Sequence, residues 1–209
     1  MTMRTDLLVA VLALAAMLAF GAVADIASRD FVIRVCIYGL FALSLNLLIG
    51  YTGLISFGHA LYFAGGAYVF VMLMQSGAVS IPVALLLTIA SNALLALAVG
   101  AICVRTSEVY FAFLTLAFQM MFYSFLFAAR DLTGGDEGLI GGIPRPPFWG
   151  ISLRDPQHFY AFVCVVTVAA TIVLRIAVAS PFGYTLRMIR DNPTRAAFVG
   201  INVPAARRR

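Results

Sequence analysis

Between Arg34 and Arg105 stand 70 residues without one Asp, Glu, Lys or Arg. A helix crosses the hydrocarbon of a membrane with roughly 20 apolar residues, so this stretch has room for about three crossings. Composition agrees: 63% of the chain is hydrophobic and 11% is charged, with a mean hydropathy of +1.00. Soluble domains carry about 45–50% apolar and about 25% charged residues. An ordinary soluble enzyme is therefore excluded. Disorder is excluded as well, since it needs low hydrophobicity and high charge.

Six apolar windows emerge, at about 7–24, 31–50, 54–74, 79–102, 109–128 and 158–178. Each is long enough to cross at 1.5 Å per residue. The runs are too long for membrane strands and lack their alternation. The expected fold is all-α: one polytopic transmembrane bundle of about six helices filling residues 1–209.

All fourteen basic residues are arginines, and the net charge is +5. In a soluble chain that balance would suggest nucleic acid; here the arginines follow topology, and no nucleic acid partner is expected. With the N-terminus inside, nine arginines (4, 105, 175, 187, 190, 195, 207, 208, 209) fall on the inner side. Five (29, 34, 130, 145, 154) fall outside, together with six acids. The positive-inside rule favours this arrangement, which puts both termini in the cytoplasm and residues 129–157 outside. The start also has signal-peptide features: a basic beginning, an apolar Leu7–Phe20 and an A-x-A at 22–24. Its apolar run is long for that role, so a retained first helix is expected. Cys36, Cys103 and Cys164 are far apart in apolar runs, with no CxxC, and read as small buried hydrophobes. No metal, cofactor or catalytic group is expected.

Polar groups and glycines interrupt the apolar region at 45–60 (LNLLIGYTGLISFGHA). Gly50, Gly53 and Gly58 permit a broken or re-entrant helix, which survives only where protein or water surrounds it. One reading makes this a translocation path lined by Asn46, Tyr51, Thr52, Ser56 and His59. The other makes it helix packing, with polar groups bonding across helices. His59 reads either as a satisfied interior histidine or as a proton carrier. The small residues Ala60, Ala64, Gly65, Gly66 and Ala67 read as packing. Thr88, Ser91 and Asn92 share a face of the fourth span, and Thr115 and Gln119 are i, i+4 neighbours in the fifth. Either set can line a pore or bond between helices.

The segment Thr133-Gly134-Gly135-Asp136-Glu137-Gly138 lacks the G-K-[ST] of a phosphate loop. It lies outside, away from ATP, and reads as a tight turn. Residues 180–203 carry helix grammar. Ser180 is a candidate N-cap with Pro181 at N1. Phe182, Leu186 and Ile189 share one face opposite Arg187 and Arg190. Asp191 or Asn192 can cap a second short helix from Pro193, and Gly200 suits its stop. Such a pair can dock into a protein groove or lie on anionic lipid.

Four pieces together resemble the membrane permease of branched-chain amino acid ABC importers, the LivM kind. They are LNLLIGYTGLISFGHALYFAGGAY (45–68), RTSEVYFAFLTLAF (105–118), TGGDEGL (133–139) and SPFGYTLRMIRDNPTRAAFVGINV (180–203). Their order and spacing match the family from about residue 31 onward. The resemblance implies a multi-pass protein of a bacterial inner membrane, with a second homologous permease subunit, two cytoplasmic ATPases and a periplasmic binding protein as partners. It implies ATP hydrolysis on those separate subunits, and contact between 180–203 and an ATPase. Members of the family continue beyond the GINV segment with further helices, so the chain reads as C-terminally truncated.

Two other functions stay open. Urea and short-chain amide permeases share similar segments. A secondary transporter would place ionisable coupling groups at mid-membrane, where only Asn46, His59 and Gln119 come close. A membrane enzyme would need a nucleophile–base pair or a metal cluster, and His59 and His158 share no motif.

Overall fold

The computed structural model describes residues 3–106, 108–144 and 152–201. Arg145, the arginines 207–209 and the end of the 180–203 segment lie outside the described residues. Within them every regular element is helical. Five helices are long and apolar enough to cross a membrane: Thr5–Val23, Ile26–Thr52, Ile81–Cys103, Val109–Ala128 and Pro156–Ala179. A sixth apolar helix, His59–Gln75, has 17 residues. The third apolar window thus begins with non-helical chain, because Gly53 takes φ +75° and the backbone stays irregular to Gly58.

The helices are α1 (Met3–Val23), α2 (Ile26–Asn46), α3 (His59–Gln75), α4 (Ile81–Cys103) and α5 (Glu108–Ala128). They continue with α6 (Arg130–Thr133), α7 (Pro156–Ala179), α8 (Pro181–Asp191) and α9 (Pro193–Phe198). Contacts divide the chain into two compact units. One takes Met1–Leu47 with Pro146–Tyr184, the other Leu48–Arg145 with Thr185–Arg209.

In the first unit α7 packs on both α1 and α2. Tyr160 of α7 is fully buried, and its hydroxyl donates to the Met17 carbonyl at 2.8 Å. Gly21 makes room for the ring: a Cβ there would overlap the Tyr160 side chain. Near the other end of the same helix pair, Arg175 grips both oxygens of Asp6 at 3.1 and 3.4 Å. Two such ties, one toward each end, set α1 antiparallel to α7. Asp25 caps α2 by accepting from the Ser28 amide at 3.3 Å. Hydrogen bonding from Ser28 holds its carboxyl below the usual carboxylate range.

In the second unit α3, α4 and α5 pack on one another. Leu54, Val99, Cys103 and Phe111 form the core, with Leu95, Val104, Leu114 and Phe118 against it. Gly65 and Gly66 lie beneath Asn92 of α4; an added Cβ would stand 3.2 Å and 2.6 Å from its amide atoms. The small residues here serve close approach, as the packing reading has it. Thr88 and Ser91 turn back on their own helix, donating to Ala84 and Thr88 carbonyls at 2.7 and 3.0 Å. All three cysteines are buried free thiols.

Much apolar surface stays uncovered. Leu12, Leu94, Phe113 and Val173 are each at least 64% exposed. A soluble monomer rarely exposes apolar patches beyond a few hundred Å². Whole helix faces are bare here, and acyl chains are the solvent that suits them.

Candidate translocation site

The polar interruption becomes a break with defined backbone. Helix α2 runs into a π-helical turn, Leu47–Thr52, a rare, widened form that is frequent at functional sites. The chain then leaves the helix until His59. Irregular backbone at membrane depth must find its hydrogen bonds within protein or water, and hydroxyls supply several of them. Thr52 Oγ1 donates to the Leu48 carbonyl at 2.6 Å and accepts from the Leu54 amide at 3.4 Å. Ser56 Oγ accepts from the Gly58 amide at 3.3 Å. Across on α5, Thr115 Oγ1 accepts from the Phe57 amide at 3.2 Å and donates to the Ala112 carbonyl at 2.9 Å.

Ser56 and Thr115 are buried. Gly58 explains how the segment reaches α5: a Cβ there would overlap the Thr115 carbonyl. Thr52, Ser56 and Thr115 therefore hold the break together. Tyr51 and His59 are half-buried, with the His59 ring edge-on to Tyr62 at 6.3 Å. Gln119, one turn beyond Thr115, keeps its buried Oε1 without a hydrogen-bond partner among the described residues. Asn46 is exposed on this chain.

The segment after α7 joins the same region. Ser180 caps α8, accepting from the Gly183 amide at 3.4 Å. Asn192 caps α9, accepting from the Arg195 amide at 2.9 Å. At Gly200, φ is +88°. The Gly200 amide donates to Ala197 and the Ile201 amide to Ala196, a complete Schellman stop. Leu186 and Ile189 are buried in the chain itself, whereas Phe182, Tyr184 and Met188 remain exposed. Arg187 lies over the Tyr51 ring, 4.7 Å from its centroid. Arg190 donates to the Gly50 carbonyl and pairs with Asp191 at 2.8 Å.

Residues 27–207 match the family described as the permease component of a branched-chain amino acid transport system. The chain belongs to that family. Two relatives are the high-affinity branched-chain amino acid transport system permease proteins LivM of Salmonella typhimurium and Escherichia coli. They are 31% identical over 128 residues and 32% over 119. These alignments take in 59% and 55% of this chain but only 29% and 27% of the relatives. No solved structure matches significantly.

In this branched-chain permease family member the Gly-rich loop is a turn that closes α5. Thr133 is fully buried. Its hydroxyl meets the Leu126 and Ala129 carbonyls and accepts from the Gly135 amide at 3.2 Å. Helix ends leave their last carbonyls open, and Thr133 answers that of Leu126. Gly134, Gly135 and Gly138 all take positive φ. Thr133→Val should lower stability by about 1–3 kcal/mol, the cost of stranding buried polar groups. Thermal unfolding in detergent checks this, with Thr133→Ser, which keeps the hydroxyl, retaining most of the parent stability.

Sequence reasoning did not find Gln75. From the end of α3 its amide donates to Ile140 and Gly142 carbonyls at 3.2 and 3.0 Å. A glutamine ending an apolar helix carries no signal of its own. The arginine contacts with the break were equally hidden, although a broken helix always needs donors for its carbonyl end.

Proposed function

We propose that the chain forms the membrane-spanning part of an ATP-driven importer of branched-chain amino acids in a bacterial inner membrane. Membership of the permease family over residues 27–207 carries this reading. ATP hydrolysis belongs to two separate cytoplasmic ATPase subunits, a second homologous permease completes the path, and a periplasmic binding protein delivers substrate. The break at 47–58 lies on that path, with Asn46, Tyr51, Thr52, Ser56, His59, Thr115 and Gln119 as its polar lining and internal support. Among the described residues the buried Gln119 Oε1 has no hydrogen-bond partner, which fits a route that admits polar cargo better than a sealed bundle. The turn at Thr133, Gly134, Gly135 and Gly138 faces the periplasm. Helices α8 and α9 take the ATPase stroke on exposed Phe182, Tyr184 and Met188 together with Asp191, Asn192 and Gly200; Leu186 and Ile189 anchor α8 within the chain, and Arg187 and Arg190, turned to the break, pass the motion inward.

Reconstituted with its ATPases and binding protein, the permease should take up labelled leucine, isoleucine or valine only with ATP. Uptake of labelled urea alone, or uptake without ATP, overturns the assignment. For topology, reporter fusions after Ser80 and Asp136 should read as external and one after Arg195 as internal. An internal signal at Asp136 would reverse the orientation.

A further inference from the structure

We propose that Arg187 and Arg190 form a two-point latch that fastens α8 to the carbonyl end of the broken helix, so that α8 and the break move as one piece. The proposal rests on the functional reading above and names the positioning residues that connect its two parts.

Three observations converge. A helix that stops at residue 52 leaves its last carbonyls open, and its end carries partial negative charge. Arg190 meets that end, donating from one guanidinium nitrogen to the Gly50 carbonyl. Its Nε and other nitrogen hold Asp191 at 3.0 and 2.8 Å, which fixes the plane of the fork. The Arg190 stem also lies where a Cβ on Gly53 would stand, 2.9 Å from Cγ. Gly53 sits at φ +75°, so the turn out of the helix is shaped around this arginine. One turn earlier on α8, Arg187 covers the Tyr51 ring at 4.7 Å, within the range of a cation–π contact. Two adjacent residues of the π-turn are thus held by two arginines spaced i, i+3, which share a helix face.

The i→i+5 bonding of the π-turn is rare, and the latch holds two of its six residues. While the latch is closed, Gly50 and Tyr51 stay with α8. Displacement of α8 then pulls on the break directly, with no flexible linker to absorb it.

Hydrogen exchange on the permease in nanodiscs tests the latch without any partner subunit. Arg190→Ala should raise exchange of amides at 50–58 about tenfold or more, as expected on losing a hydrogen bond from a charged donor, while α4 and α5 stay protected. From the other side of the contact, Tyr51→Leu should raise exchange at the break and Tyr51→Phe should not, because phenylalanine keeps the ring face. In the assembled importer, Arg190→Ala should raise the ATP hydrolysed per substrate moved, with the ATPases still copurifying, and Arg190→Lys should restore part of the coupling. Unchanged exchange at 50–58 in both Arg190→Ala and Tyr51→Leu overturns the latch, whatever is transported. Loss of ATPase copurification in Arg190→Ala also overturns it, since the arginine would then serve the partner. A wrong substrate assignment would leave the exchange result standing.

Discussion

Gly58→Ala should lower the unfolding temperature and, on the proposed function, abolish transport, although it adds a single methyl to an apolar region. The obstacle is backbone: the Thr115 carbonyl occupies the place of the new Cβ, and a carbonyl within α5 cannot rotate aside. The segment must instead lift from α5, which breaks the bond from the Phe57 amide to Thr115 and uncovers Leu54. Overpacking typically costs about 1–3 kcal/mol, occasionally more, and the stranded amide adds about another 1–3 kcal/mol. Gly100→Ala is the internal control. Nothing lies within 4 Å of its added Cβ, and alanine is favoured over glycine inside a helix by roughly 1 kcal/mol. A thiol-reactive dye can follow unfolding of both, because Cys36, Cys103 and Cys164 are buried in the folded chain. Equal unfolding temperatures for the two variants would refute the close approach at Gly58.

The second large effect concerns α8. Ile189→Ala should cost about 2–5 kcal/mol, because Ile189 is only 1% exposed. Ile189→Asp should exceed this and leave little folded protein in the membrane. Met188→Asp, one residue away, should leave unfolding within about 0.5 kcal/mol of the parent, since Met188 is 44% exposed. If Met188→Asp nonetheless uncouples hydrolysis from uptake, its outward face is what the ATPase meets. Copurification and uptake assays on the two aspartate variants therefore separate folding of α8 from its engagement. A normal unfolding curve for Ile189→Asp would contradict the burial described here.

The apolar helices were legible in the sequence because lipid imposes one rule on every span, and a window of side chains can test that rule. Cap chemistry was legible for a similar reason: Ser180, Asn192 and Gly200 act within a few residues of themselves. The site was legible only as a polar interruption. That Phe57 would find Thr115, 58 positions away, depends on how α5 lies beside the break, and no local pattern encodes it. Periodicity also marked Phe182, Leu186 and Ile189 as one face without saying what covers it. The structure buries Leu186 and Ile189 in this chain and leaves Phe182 39% exposed, because burial follows neighbours as well as period.

The shortness of α3 has a consequence for what substitutions this chain can bear. Seventeen residues rise about 25 Å, roughly one turn less than the ~30 Å of hydrocarbon. A crossing that starts with α3 has to draw its missing depth from the irregular residues before His59, which carries their amides below the edge of the oily layer. Three hydroxyl groups, on Thr52, Ser56 and Thr115, stand in there for the water those amides would otherwise meet. On any hydropathy scale Thr115→Val makes the span a better membrane segment, yet it removes the acceptor for Phe57. Greasiness and fitness for the bilayer thus run in opposite directions at these three positions. A screen that selects for insertion alone would favour the very changes that take the break apart.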